Sequence, residues 1–225
     1  MIKICVSGSS GKMGSRIMEL AKENADFRVC GSFDIVEENP EQFIESADCL
    51  IEFTTPQATI EHLALCEKHK KAMVIGTTGL SDAEKEKIDA ASAKMPIVFS
   101  PNMSIGVNLL FKMASDAAKV LGPEYSVEIV EAHHVHKKDA PSGTAKEIAR
   151  IIKDAKGAIE IPIESVREGE TVGEHTVKFE SNVDLIEITH SAKTRDIFVK
   201  GALQAAKFVV GKKHGLFTMK DVLAL

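Results

Sequence analysis

Short apolar runs alternate with amphipathic stretches along the first hundred residues. Residues 2–6, 27–33, 49–53, 72–75 and 96–99 are short apolar runs, the form of strands buried on both faces. Between them, residues 12–23 carry Met13, Ile17, Leu20 and Ala21 at helical spacing. Thr55 and Pro56 open a second helix as N-cap and first-turn proline, continuing through Ile60, Leu63, Ala64 and Cys66. Ser81 and Glu84 form a capping box for a third. Strand and helix in strict alternation predict a parallel sheet with crossover helices. After Asn102 the rhythm changes: a long amphipathic helix over 105–121, a strand over 127–132 and a helix over 144–152. Strand-like runs follow at 161–166, 176–180 and 185–189 with no helix between them, then a helix of small and apolar residues over 197–210 and a last segment over 216–225. Consecutive strands predict a second, partly antiparallel sheet, with a border near residue 103.

Composition narrows the function. In 225 residues, 44% hydrophobic content supplies a real core and excludes a disordered chain. The net charge of −5 leaves no basic footprint for nucleic acid. With no run of 18 apolar residues and an opening run broken at Gly8, neither a membrane span nor a signal peptide is expected. Cys5, Cys30, Cys49 and Cys66 contain no C-x-x-C pair and read as reduced thiols of a cytoplasmic protein.

Between the first strand and first helix stands Gly8-Ser9-Ser10-Gly11-Lys12-Met13-Gly14, a G-x-x-G-x-x-G loop where backbone N–H groups and a helix start can receive a pyrophosphate. Such a turn alone is common and need bind nothing. Asp34 changes its weight: it ends the second strand, where a carboxylate can accept hydrogen bonds from an adenosine ribose. Gly76, Thr77 and Thr78, with Ser100, Pro101, Asn102 and Met103, follow the fourth and fifth strands at the carboxyl edge where open parallel sheets bind ligands. The fold class expected is therefore α/β, a Rossmann-type parallel-sheet domain plus a smaller α+β domain with a mixed sheet. Ile35 after Asp34 offers no arginine to a 2′-phosphate, although Lys12 is basic. NADH is the expected cofactor, with NADPH possible.

The densest chemistry lies at Glu131-Ala132-His133-His134-Val135-His136-Lys137-Lys138-Asp139-Ala140-Pro141-Ser142-Gly143-Thr144-Ala145. His133 and Lys137, four apart, flank a loop that leads into a helix start, where Thr144 and Glu147 read as a capping box. N–H groups near Gly143 and Thr144 suit a carboxylate guest. Three plainer readings stand beside this one: polar surface, a simple cap, or a metal held by His134 and His136 with His175 or His190. The metal is disfavoured because no carboxylate or cysteine stands at a tight ligand spacing. Together with the glycine loop, the cluster favours an enzyme that reduces a small carboxylated compound over a protein that only senses the nucleotide.

These residues resemble the 4-hydroxy-tetrahydrodipicolinate (dihydrodipicolinate) reductase family, whose signature E-A-H-H-x-H-K-x-D-A-P-S-G-T-A stands intact at residues 131–145. Supporting matches are the Gly8 to Gly14 loop, Phe53-Thr54-Thr55-Pro56, residues 74–79, 102–108, 167–170 and 172–175, and Gly215-Leu216-Phe217. The chain is shorter than many relatives between the second and third strands. The resemblance implies NAD(P)H-dependent reduction of a cyclic dicarboxylate with loss of water, on the diaminopimelate route to lysine. It implies His133 as general acid/base, Lys137 as proton donor, His134 on the substrate, and Gly143 and Thr144 on one carboxylate. Cofactor contacts would come from Gly8 to Met13, Asp34, Gly76 to Thr78 and Ser100 to Met103, with no metal. It further implies a dinucleotide domain over 1–103 on which residues 201–225 pack back, a substrate and oligomerisation domain over 104–200, and a homotetramer.

Overall fold

The computed structural model describes residues 1–34 and 39–225, so Ile35 lies outside the described residues. Contacts divide the chain into two units, Met1–Ile105 with Phe198–Leu225, and Gly106–Ile197. In chain order the elements are β1 (Ile2–Ser7), α1 (Lys12–Lys22), β2 (Phe27–Phe33), α2 (Glu41–Ser46), β3 (Cys49–Glu52), α3 (Pro56–His69), β4 (Ala72–Ile75), α4 (Asp82–Ser92) and β5 (Pro96–Phe99). Then come α5 (Ile105–Val120), β6 (Ser126–His133), α6 (Gly143–Lys156), β7 (Ile163–Arg167), β8 (Glu174–Glu180) and β9 (Leu185–Ser191). The chain closes with α7 (Asp196–Val210), β10 (Gly215–Phe217) and α8 (Met219–Leu223).

The first unit is built on six parallel strands in the order β10-β5-β4-β3-β1-β2. Alternate strand positions feed two cores. Ile4, Val6, Ile51, Val74 and Val98 pack with Ile17 and Ala21 of α1 and with Val199, Ala202 and Val209 of α7. Cys5, Leu50, Met73, Ile75 and Ile97 pack with Ile44, Leu63, Cys66 and Ile88 of the other helices. Burial on both faces is why these strands read as unbroken apolar runs. Thr55 caps α3 by accepting from the Ala58 N–H at 3.3 Å, and Ser81 and Glu84 close the capping box of α4. The strand order reverses between β1 and β3, the point at which open parallel sheets take ligands at their carboxyl edge. Residues 216–225 form an edge strand and a short helix rather than one segment, with β10 pairing against β5. All four cysteines are free, and burial raises the thiol pKa of Cys5, Cys49 and Cys66.

The second unit holds a four-stranded sheet in the order β7-β6-β8-β9, with β7 parallel to β6 and both β6–β8 and β8–β9 antiparallel. Val127 and Ile129 of β6 and Val177 and Phe179 of β8 face Leu110, Phe111 and Ala114 of α5 and Ile148 and Ile152 of α6. β7 begins two residues later than the apolar run suggests. Pro162 has no N–H to give the ladder, and Ile161 is buried in the core without pairing. The inward phase of β6 and β8 continues past the apolar residues to Glu131, His133 and His175, all buried, and this places chemistry at one end of the sheet. Among the described residues, no helix is long and apolar enough to cross a membrane.

Candidate active site

The candidate residues fall into two groups, one in each unit. In the first, Gly8 adopts φ +75, a conformation that disfavours side chains, and the Gly11 N–H closes back on the Gly8 carbonyl at 3.0 Å. A Cβ on Gly14 would stand 2.1 Å from the Gly8 oxygen, so only glycine lets α1 start this close to the loop. Gly11 caps α1 without a side-chain hydrogen bond, and no acidic residue occupies the first turn. The chain itself engages the N–H groups of Gly8, Ser9, Ser10 and Gly11, so the loop brings a ligand to the first turn of α1, where the positive helix end suits a pyrophosphate. Asp34 accepts hydrogen bonds from the Ser9 hydroxyl at 2.9 Å and the Ser10 N–H at 2.7 Å. Partial burial opposes its charge, but these bonds outweigh burial and hold the carboxyl below the usual range.

The other residues of this group differ in what they can offer. Lys12 and Thr78 are exposed, Met13 is half-buried, and Gly76 lies against the Phe53 ring, where a Cβ would meet ring carbon at 2.2 Å. Thr77 is buried, its hydroxyl receiving the Thr54 N–H at 3.2 Å and pairing with Thr59 at 2.9 Å. Ser100 donates to the Asn102 carbonyl at 2.8 Å and Pro101 is exposed. Met103 points into the core, so a ligand would meet its backbone. Sequence reasoning missed a buried pair beneath these loops. The Glu52 carboxylate is fully buried, takes a hydrogen bond from the Thr54 hydroxyl, and meets His62 Nδ1 at 2.7 Å. A glutamate ending an otherwise apolar strand was the available signal.

In the second group, His133 ends β6 with Nδ1 against the Glu131 carboxylate. Glu131 is fully buried and also receives two guanidinium hydrogen bonds from Arg167, at 2.8 and 3.0 Å, and the Ser142 N–H at 3.2 Å. Burial would raise the Glu131 carboxyl. Hydrogen bonds from Arg167, His133 and Ser142 prevail and bring it to about 2. His133 is lowered, chiefly by burial, with nearby Lys137 adding to the effect and Glu131 opposing it. Its ring stands edge-on to His175, centroids 5.1 Å apart, and His175 Nε2 meets the Ser142 hydroxyl at 3.2 Å. Burial, then the neighbouring His133, push His175 down to about 4.

Lys137 is half-buried, its ammonium donating to Asp139 at 2.7 Å. His134 is half-buried, and its buried Nδ1 has no partner; its ring lies 6.1 Å from that of exposed His136. The helix start differs from the sequence expectation. The N-cap of α6 is Ser142, whose hydroxyl accepts the Ala145 N–H at 3.2 Å, so Thr144 lies inside the first turn and forms no capping box. Glu147, two residues past the position that could reach back, pairs with Arg150 at 2.7 Å instead. Gly143 is exposed with open space where a Cβ would stand. It is His133, not His134 or His136, that reaches His175, and among the described residues no group of three or more potential ligands could hold a metal. Glu131, Arg167, Ser142 and His175 carry the geometry of this end of the sheet; the first three were assigned no role from the sequence, and His175 entered only in the disfavoured metal reading.

Comparison with known proteins finds relatives along the whole chain. Residues 2–103 match the family model "Dihydrodipicolinate reductase, N-terminus", and residues 106–223 match "Dihydrodipicolinate reductase, C-terminus". The 4-hydroxy-tetrahydrodipicolinate reductases of Syntrophotalea carbinolica and Geobacter metallireducens are 37% and 39% identical to the chain, with all of both chains covered. Those alignments run to 266 and 265 positions, so the relatives carry segments absent from these 225 residues. Among solved structures, dipicolinate-bound dihydrodipicolinate reductase from Paenisporosarcina sp. TG-14 superposes with a TM-score of 0.87 at 26% identity. That match covers 99% of this chain and all of that one.

Proposed function

The chain belongs to the dihydrodipicolinate reductase family, and from that premise we propose how its residues divide the work of reducing 4-hydroxy-tetrahydrodipicolinate. The reaction is a step of the diaminopimelate route to lysine and uses a pyridine nucleotide, which supplies the hydride when bound. The Gly8 to Met13 loop holds the pyrophosphate, Asp34 takes the adenosine ribose hydroxyls, and Gly76 to Thr78 with Ser100 to Met103 line the nicotinamide side. A 2′-phosphate would face the Asp34 carboxylate, so NADH is the preferred partner and NADPH the poorer one.

The substrate is a dianion, and an acidic protein must gather cations locally to hold it. Gly143 and Thr144 at the start of α6 receive one carboxylate and His134 contacts the ring. The substrate hydroxyl leaves as water, and the ring, having accepted hydride, needs a proton. Lys137 supplies it, while His133 acts as the general acid/base beside it. The observation that carries this reading is that His133 ends β6 on a buried carboxylate, with Lys137 four residues on in the loop that leads to the start of α6.

The test is an assay with freshly made condensation product of pyruvate and aspartate semialdehyde, following NADH and NADPH absorbance in parallel. Substrate-dependent oxidation is expected, faster with NADH. His133→Ala and Lys137→Ala should each lower kcat about a hundredfold or more, the usual worth of a positioned acid. A loss of less than about tenfold would remove the residue concerned from its role. We also take the chain to form a cytoplasmic homotetramer through the sheet of the second unit, on the strength of exposed Leu185 and Ile186 on β9, Val183 in the turn before it, and the four free cysteines. A monomer mass by light scattering would rule the tetramer out.

A further inference from the structure

We propose that Glu131 is the positioning residue for His133: its carboxylate holds the imidazole by Nδ1–H and leaves Nε2 as the nitrogen that exchanges protons. The inference rests on the acid/base role given to His133 above. A carboxylate can only accept, so the proton in the Glu131–His133 contact belongs to the ring, and in the neutral imidazole that fixes the tautomer. The carboxylate is itself fixed. Arg167 grips both of its oxygens, at 2.8 and 3.0 Å, and the Ser142 N–H holds one of them at 3.2 Å. Arg167 also donates to the Asp139 carbonyl at 2.6 Å, so the same cation ties the loop that bears Lys137 to the carboxylate that orients His133.

The far side of the ring is kept small. Gly173 lies against Nε2, where a Cβ would stand 3.0 Å from the nitrogen, closer than an ordinary contact. One buried carboxylate thus orients the acid/base residue and anchors the N-cap of α6, the helix start assigned to the substrate carboxylate. A shift at either end would be felt at the other through Glu131.

Glu131→Gln keeps the shape and removes the charge. Its amide can turn its donor toward Nδ1 and release the tautomer. We expect kcat to fall about tenfold or more, as part of what a general acid/base contributes, with a much smaller change in KM. The His133 titration midpoint, read by 15N NMR and assigned by comparison with His133→Ala, should move to lower pH, since the neighbouring charge that favours imidazolium is gone. A merely structural role would lower the melting temperature without moving that midpoint. Should the variant not fold, the wild-type spectrum decides: near-neutral pH must show hydrogen on Nδ1. An Nε2–H tautomer in the wild type overturns the proposal. So does Glu131→Gln with unchanged kcat and an unmoved midpoint, provided His133→Ala is inactive. If His133→Ala keeps full activity, the acid/base reading has failed instead.

Discussion

Replacing His175 with glutamine should flatten the pH dependence of stability of the second unit. His175 is 3% exposed on the inward face of β8, paired across the sheet with Glu131 on one side and His190 on the other. Burial, with the positive charge of His133 second, lowers its pKa from 6.5 to about 4. The sign follows from proton counting. Between pH of about 4 and about 6.5 the unfolded chain binds a proton here and the folded one does not, so stability falls as pH falls through that window. One proton is worth about 1.4 kcal/mol per pH unit, which gives about 3 kcal/mol across the window. Glu131 does not obscure this, because its folded value of about 2 against an ordinary 4.5 places its own loss of stability at lower pH. The chain has one tyrosine and no tryptophan, and Tyr125 lies in the second unit, donating to Asp184 at 3.0 Å. Urea unfolding followed by its fluorescence at pH of about 7, 6 and 5 therefore reports that unit. Wild type should lose about 0.7 kcal/mol more than His175→Gln from pH 7 to 6 and about 1.2 kcal/mol more from pH 6 to 5. Parallel lines for the two proteins would refute the reasoning.

Asp34→Asn should weaken NADH by about tenfold, the worth of a charge-assisted hydrogen bond, while NADPH changes less; an unchanged ratio of kcat/KM for the two cofactors would take the ribose role away from Asp34. Gly14→Ala sets two effects against each other, a helix gain of about 1 kcal/mol and a Cβ placed 2.1 Å from the Gly8 carbonyl oxygen. The oxygen is backbone and cannot swing aside, so overpacking of about 1–3 kcal/mol should win. A lower melting temperature with weaker NADH binding is expected, and a more stable variant with wild-type affinity would show that the loop yields.

The first unit was legible because its strands are buried on both faces and its helices carry local stop and start signals. Pro56 after Thr55 and the Ser81–Glu84 pair set helix starts by chemistry within four residues, and the structure places α3 and α4 there. The N-terminus of α6 was misread for the same local reason. Thr144 with Glu147 satisfies the capping pattern, but Ser142 lies two residues earlier and its N–H is already bound to Glu131, eleven residues away in sequence. A tertiary hydrogen bond fixed the helix start where local pattern offered two choices. The strand at 161–166 lost its first two residues because Pro162, whose carbonyl accepts the Ile129 N–H at 3.0 Å, has no N–H to give the ladder, and that could have been read.

The histidine cluster shows a sharper limit. Sequence spacing singled out His133 and Lys137 as candidates because a basic pair before a helix start is itself an electrostatic signal. Glu131 carries no such mark, and alone it is an ordinary acid two residues before a histidine. Its meaning appears only when the period of β6 is followed: Val127, Ile129, Glu131 and His133 share one face, so the carboxylate falls on the phase that the apolar residues bury. A carboxylate there must find partners or give up its charge. The partners come from elsewhere in the chain, Arg167 from the neighbouring strand and the Ser142 N–H from the helix that follows. Which arginine would meet it depends on strand register, His133 opposite Arg167, and no spacing along the chain encodes that. An acid on the apolar phase of a strand was visible from the sequence as a demand for a partner; the sheet alone decides that Arg167 answers it.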